Sequence, residues 1–155
     1  MNIVDLMAAQ NDEPVEGESF DEMMARYDDL PVESIRSKIL KMQSYLSTLP
    51  QAEVPVKQYI VGGILYREIT IPKGVYCVGS VYKEPHIHFV IRGDMTVLTD
   101  EGLKRVTGAQ SFVSPAGVKR AGYAHEETVW AAVFRTDETD PEKAFQGFTV
   151  EEGLI

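Results

Sequence analysis

The residues best suited to chemistry lie in one short run, His86-Ile-His88. Side chains two apart on a strand share a face. Two imidazoles so placed can grip one divalent metal ion, with His125 or Tyr82 as a third ligand. The competing reading is that both rings are satisfied by hydrogen bonds in a polar-lined pocket. His125 stands beside Glu126 and Glu127 near an expected strand start and reads as a surface residue. Cys77 is the only cysteine, which excludes an internal disulfide and any cysteine-rich zinc centre. Its place on a presumed outward apolar face gives it a packing role. No Ser/His/Asp or Cys/His set stands out, and no phosphate-cradling glycine loop opens a helix.

These residues must be held by strands. Between Lys57 and Thr136 the chain reads as short β-type runs: ILYREITI, VYCVGSVY, HIHFVIR, MTVLT, LKRVT, QSFVS and TVWAAVF. Turn residues separate them at Pro72-Lys-Gly74, Glu84-Pro85, Gly93-Asp94, Asp100-Glu-Gly102, Gly108 and Pro115-Ala-Gly117. Regular short strands without intervening helices predict an antiparallel sandwich or barrel. Two runs are apolar on both faces. Trp130 and Phe134 oppose Val129 and Val133, while Ile87, Phe89 and Ile91 oppose His86, His88 and Val90. An antiparallel strand with a solvated face should show one polar side. Something therefore covers the outside: the preceding helices, a second subunit, or both.

Upstream, residues 1–18 lack periodicity and read as an acidic flexible arm. Residues 19–50 read as helical. Ser19-Phe-Asp-Glu22 fits a capping box for a first helix that ends near Asp28-Asp29. Pro31 suits the first turn of a second helix. There Val32, Ile35, Ile39, Met42, Leu46 and Leu49 recur at spacings of three and four. Such a stripe packs on its own domain or, if longer, in a coiled coil; self-packing is the expectation here. Residues 56–136 form the barrel. Residues 137–155 form an acidic tail with a short helix started at Asp140-Pro141-Glu142.

Charge sorts the chain the same way. The 155 residues carry 24 acids against 15 bases, a net −9, yet 44% are hydrophobic, enough to bury a core. The sign disfavours nucleic acid and anionic membrane surfaces as partners. No run approaches the length of a membrane-spanning helix. No basic residue precedes Arg26, so no secretory signal is expected. Residues 1–30 hold nine acids and one base, and residues 137–155 six acids and one base. The stretch between holds nine acids and thirteen bases. The acidic ends serve solubility or docking, and a basic pocket within the barrel is allowed.

The glycine and proline punctuation resembles the cupin superfamily of small double-stranded β-helix barrels. Gly74 and Gly93 match the two ends of its first motif, and Pro115-Ala-Gly117 matches the turn of its second. Gly108 lies one residue further from that proline than the pattern expects, and Ala124 replaces a usual asparagine. The resemblance covers about residues 60–136. It implies a mainly β fold: an antiparallel double-stranded β-helix (cupin/jelly-roll) barrel with N-terminal helices and a short C-terminal helix. The family's metal-ligand positions fall on Ser80, Tyr82, His86 and Arg120. Serine and tyrosine are poor ligands, and arginine stays protonated. The resemblance therefore implies no cofactor, with one divalent metal ion at His86 and His88 as the alternative. The same frame puts Tyr82, His86, His88 and Arg120 in one pocket. There they suit a carboxylate, a phosphate or a polar small molecule, with Arg120 as bidentate anchor. The alternative is that Arg120 pairs with a barrel carboxylate such as Glu68 or Glu126.

Three runs, Tyr66 to Gly74, Ser114 to Arg120 and Tyr123 to Trp130, resemble short cupin-like proteins of tailed bacteriophages and prophages. Members often carry His at the position of Tyr82 and Asn at that of His88, and this chain departs at both. The resemblance implies a phage-encoded protein made in the host cytoplasm, with the virion as a further location. The leading expectation is a non-enzymatic, oligomeric interaction or virion-associated protein. Its partners are itself or other phage proteins. The rival expectations are a small-molecule-binding barrel and a metal-dependent enzyme.

Overall fold

The computed structural model describes residues 6–10 and 32–150. The helix expected from Ser19 lies outside them. In chain order the elements are β1 (Leu6–Gln10), α1 (Val32–Leu46), β2 (Val56–Val61), β3 (Ile64–Ile71), β4 (Val75–Gly79), β5 (Val81–Tyr82) and β6 (His86–Thr99). Then follow β7 (Gly102–Thr107), β8 (Gln110–Ser114), β9 (Ala121–Arg135), α2 (Pro141–Phe148) and β10 (Thr149–Val150). Every strand pairing is antiparallel. The result is the mainly β, jelly-roll-type barrel that the resemblance implied.

Two long strands organise it. β9 pairs with β3 from Thr128 to Arg135, with β4 from Ala121 to Tyr123, and with β6 along most of its length. On its other edge β6 pairs with β8 over His86–Val90 and with β7 over Asp94–Thr99. The sequence divides β6 at Gly93; the chain instead runs through as one strand that bends there. Its register against β9 shifts three times between Val90 and Met95. Gly93 has φ +116°, and a Cβ on it would lie 2.3 Å from Thr128 Oγ1, so only glycine fits. Gly108 crosses just as closely, its missing Cβ 2.5 Å from Arg92 Cα. The punctuation thus marks a bend and a close crossing of backbones.

Helix α1 fulfils its stripe. Ile35, Ile39 and Leu46 bury against Val78, Leu98 and Ala121, with Met42 and Leu49 packed alongside. The helix therefore covers β4 and the second half of β6. Arg36 ties it down, with Nη2 2.8 Å from Asp100 Oδ2 and a further bond to the Gly117 carbonyl.

Three sequence expectations need correction. Leu6–Gln10, read as part of a flexible arm, forms β1 and pairs with β4 from Leu6↔Gly79 to Gln10↔Val75. Backbone pairing to an open strand edge needs no side-chain alternation, which is why composition missed it. β2 was also not singled out, because two of its three exposed positions, Tyr59 and Val61, are themselves apolar and blur the period. The third concerns the tail. Asp140 accepts from the Lys143 N–H at 2.9 Å and starts α2 as expected. That helix is no solvated appendage, however. Ala144 and Phe145 bury against Leu65 and Phe134 and close one end of the barrel. Among the described residues no helix is long and apolar enough to cross a membrane.

Candidate functional site

The barrel encloses a cavity of about 100 Å³. One part of its wall is apolar: Ile71, Cys77, Met95 and Val97, with Ile69 and Trp130 packed against them. The rest carries Ser80, Tyr82, His88, Arg67 and Arg120. Three of the four residues proposed from the sequence, Tyr82, His88 and Arg120, thus line one space. His86 stands directly behind them, its ring stacked on Tyr82 with centroids 4.0 Å apart.

Both histidines are 5% exposed, and their hydrogen bonds form a single chain. Trp130 Nε1 lies 2.8 Å from His88 Nδ1. An indole N–H can only donate, so His88 Nδ1 must accept and the His88 proton sits on Nε2. That proton is donated to His86 Nε2 at 2.8 Å. His86 then carries its own proton on Nδ1 and donates it to the Glu84 carbonyl at 3.0 Å. One indole thereby fixes two tautomers. Burial, more than the nearby Arg120 charge, holds His88 well below its ordinary pKa. Burial also lowers His86, against the opposing pull of the Glu84 carbonyl. Both rings are neutral near pH 7.

This donor set does not fit a metal ion. Chelation through the two facing Nε2 atoms would need a lone pair on each. His88 would then carry its proton on Nδ1, facing the Trp130 N–H donor at 2.8 Å. His125 is no third ligand either. Its Nε2 lies 2.6 Å from Thr96 Oγ1, on the other half of β6, ten residues along the strand from His86. It is half-buried within β9 rather than a surface residue at a strand start. Among the described residues no group of three or more His, Cys, Asp or Glu could hold a metal.

Arg120 is the charged member of the site. Its Nη2 donates to Ser114 Oγ at 2.7 Å, and its guanidinium lies 5.6 Å from the centre of the Phe112 ring. Neither Glu68 nor Glu126 meets it: Glu68 accepts from the Tyr66 hydroxyl, and Glu126 lies 3.8 Å from Lys73. Among the described residues no carboxylate lies within ion-pair distance of Arg120, though the Glu101 charge supports its protonated form from further off. Burial draws its pKa below the usual arginine value, but a guanidinium remains charged.

Sequence reasoning missed several contributors. Trp130 shares a strand face with Phe134 in the sequence pattern, which gives it no role; it lines the cavity. Arg67 is 6% exposed and lies 3.9 Å over the Phe145 ring. Its Nη1 donates to Gln58 Oε1 at 2.7 Å and stands 3.8 Å from Glu142 Oε2. Its signal was present in the sequence: it alternates with Tyr66 and Glu68 and shares a face with Leu65 and Ile69. Cys77 is corrected, since it faces the cavity and not the outside, and burial pushes its thiol up to about 12. Its neighbour Val78 is the residue that faces helix α1.

No family model matches this chain, and no curated protein matches it in sequence. Solved structures do resemble it. Ectoine synthase from P. lautus aligns with a TM-score of 0.51 and 14% identity, over 67% of this chain and 79% of that one. A cupin superfamily protein from Desulfitobacterium hafniense aligns at 0.46 and 10% identity, over 61% of this chain and 87% of that one. An acetylacetone dioxygenase from Acinetobacter johnsonii aligns at 0.46 and 12% identity, over 61% and 78%. At these identities the likeness is one of fold alone.

Proposed function

We propose that this protein acts by association, as a non-enzymatic barrel that pairs with a second copy of itself. The observation that supports this is one outer face. Register places Val113, Ile87, Val133, Tyr66 and Tyr59 in a single row across β8, β6, β9, β3 and β2. Val113 is 71% exposed and Ile87 42%, and Tyr59 stacks on Tyr66 at 5.1 Å. Phe89, Ile91, Val61 and Ile64 extend the same surface. Five strands about 4.8 Å apart and about six residues long span roughly 500 Å² in plan, before side-chain relief is counted. Two such faces together bury about 1,000 Å², the lower bound of a specific interface, and a patch of this size on a monomer often marks a binding surface. The charges set in this face, Lys57, Glu68 and Arg135, are of both signs, so its field does not repel a like copy. Sedimentation equilibrium of the full chain is expected to show a dimer or larger species. A protein that stays monomeric at high concentration would overturn the reading. The phage-type resemblance adds a setting, assembly made in the host cytoplasm or within the virion. Mass spectrometry of purified particles tests it.

A second reading has its own support. Arg120, half-buried beside a cavity and in no ion pair with a carboxylate among the described residues, suits a pocket for a small anionic or polar ligand. Thermal-shift screening against small anions tests it, with stabilisation expected in the wild type and lost in Arg120→Ala.

A further inference from the structure

We propose that the inner cavity binds a short, unbranched aliphatic monocarboxylate, with its carboxylate on Arg120 and its chain against Ile69, Ile71, Met95 and Val97. This rests on the second reading above, that the cavity is a ligand site, and specifies what it takes. Three features carry it.

The first is charge. Within the site, the Trp130 bond fixes His88 as a neutral donor to His86, so neither ring adds a positive charge. Arg67 also lines the cavity, but its guanidinium is engaged by Gln58 and stands near Glu142 on the α2 side. Arg120 remains: it donates to Ser114 and has no carboxylate within ion-pair distance among the described residues, and the Glu101 charge acts on it only from across the neighbouring cavity. A monoanion balances it, whereas a phosphate dianion would bring a second charge with no partner. Guanidinium and carboxylate also match in planar, bidentate geometry.

The second is volume. About 100 Å³ is two-thirds of the roughly 150 Å³ cavity that accepts benzene. With the carboxylate held at the Arg120 wall, about four carbons of chain fill that space. The third is the lining. The cavity extends from Arg120 into the apolar cluster of Ile71, Cys77, Met95 and Val97, where hydrocarbon is the better occupant.

The approach route follows from a second cavity of about 380 Å³ between β7 and β8. It shares Val97, Arg120 and Trp130 with the inner one, so Arg120 stands in the wall between them. A carboxylate arriving from that side passes Glu101, Lys104 and Arg105 in the outer wall before it reaches Arg120.

Calorimetric titration of the full chain with acetate, pentanoate, octanoate, pentan-1-ol and inorganic phosphate tests the proposal. Pentanoate is expected to bind at least tenfold tighter than any of the others. Arg120→Met should lose at least tenfold in pentanoate affinity, and Arg120→Lys should lose less. Val97→Phe, which fills the cavity without touching the charge, should abolish pentanoate binding. Melting curves identify any variant that has simply unfolded; because the two substitutions act at different ends of the ligand, either one alone suffices. If acetate or phosphate binds as tightly as pentanoate and survives Val97→Phe, the chain class is overturned while an anion site stands. If none of the five binds, both the class and the ligand-site reading fall.

Discussion

The barrel has two outer faces of similar make-up and opposite fates. On one, Val78, Leu98 and Ala121 lie under helix α1, and Ile39 and Leu98 are fully buried. On the other, Ile87, Phe89 and Val113 stand open among the described residues. The same two strands supply both, since β6 and β9 run from one face to the other. Apolar alternation on the outside of a strand thus reports that a cover is needed without saying whose. The chain meets that need itself where an amphipathic helix precedes the sheet; on the other face the proposed second copy would meet it.

The largest effect should come from the covered face. Ile39→Ala removes a fully buried side chain from the α1 seam and should cost about 3 kcal/mol, read as a lower urea midpoint at unchanged slope. Next comes the bare face. Ile87→Lys should leave monomer stability within about 0.5 kcal/mol while weakening self-association by about 2 kcal/mol, roughly thirtyfold, in sedimentation equilibrium. If Ile87→Lys instead unfolds the chain, or Ile39→Ala leaves it as stable as before, the contrast between the faces fails.

Acid should then distinguish interior from exterior. Burial lowers the pKa of His88 and of His86, so the unfolded chain binds more protons than the folded one below the ordinary histidine value. Their contribution is fully present above about pH 6.5 and is lost as pH falls below it, at up to about 1.4 kcal/mol per pH unit for each ring. Denaturation at pH 7.5 and 5.5 should show this slope in the wild type and a shallower one in His88→Gln. The smallest effect concerns the helix clamp. Arg36→Ala should cost about 1 kcal/mol, because the pair it breaks with Asp100 is only partly buried. Raised salt should reduce the difference.

The parts legible in the sequence are those set by local pattern. The α1 stripe, the Asp140 cap, the inward pair His86 and His88, and the need for a cover outside β6 all follow from period and turn chemistry. So do the glycines, although Gly93 and Gly108 prove necessary because Thr128 and Arg92 crowd them. What escaped depends on distant partners. No spacing rule ties Trp130 to His88, 42 residues away, yet that bond decides the tautomers of both histidines. Cys77 was assigned to the wrong side because both sides of β4 are apolar, one for the cavity and one for α1. Phe145 escaped for a third reason: an acidic segment seemed to advertise solvent, while two of its side chains seal the barrel end.

The continuity of β9 has one more consequence, for how this chain can change length. Side chains alternate along the strand without interruption from Thr128 to Arg135, Trp130 inward and Val129 outward. Deleting one residue between Ala124 and Thr128 would turn every later side chain to the opposite face. The indole would leave His88, and valines would replace the aromatic wall of the cavity. β7 and β8 share no such double duty, since each pairs with β6 alone. Insertions belong there, at the Asp100–Gly102 turn. Strand β9 can exchange residues but cannot gain or lose one.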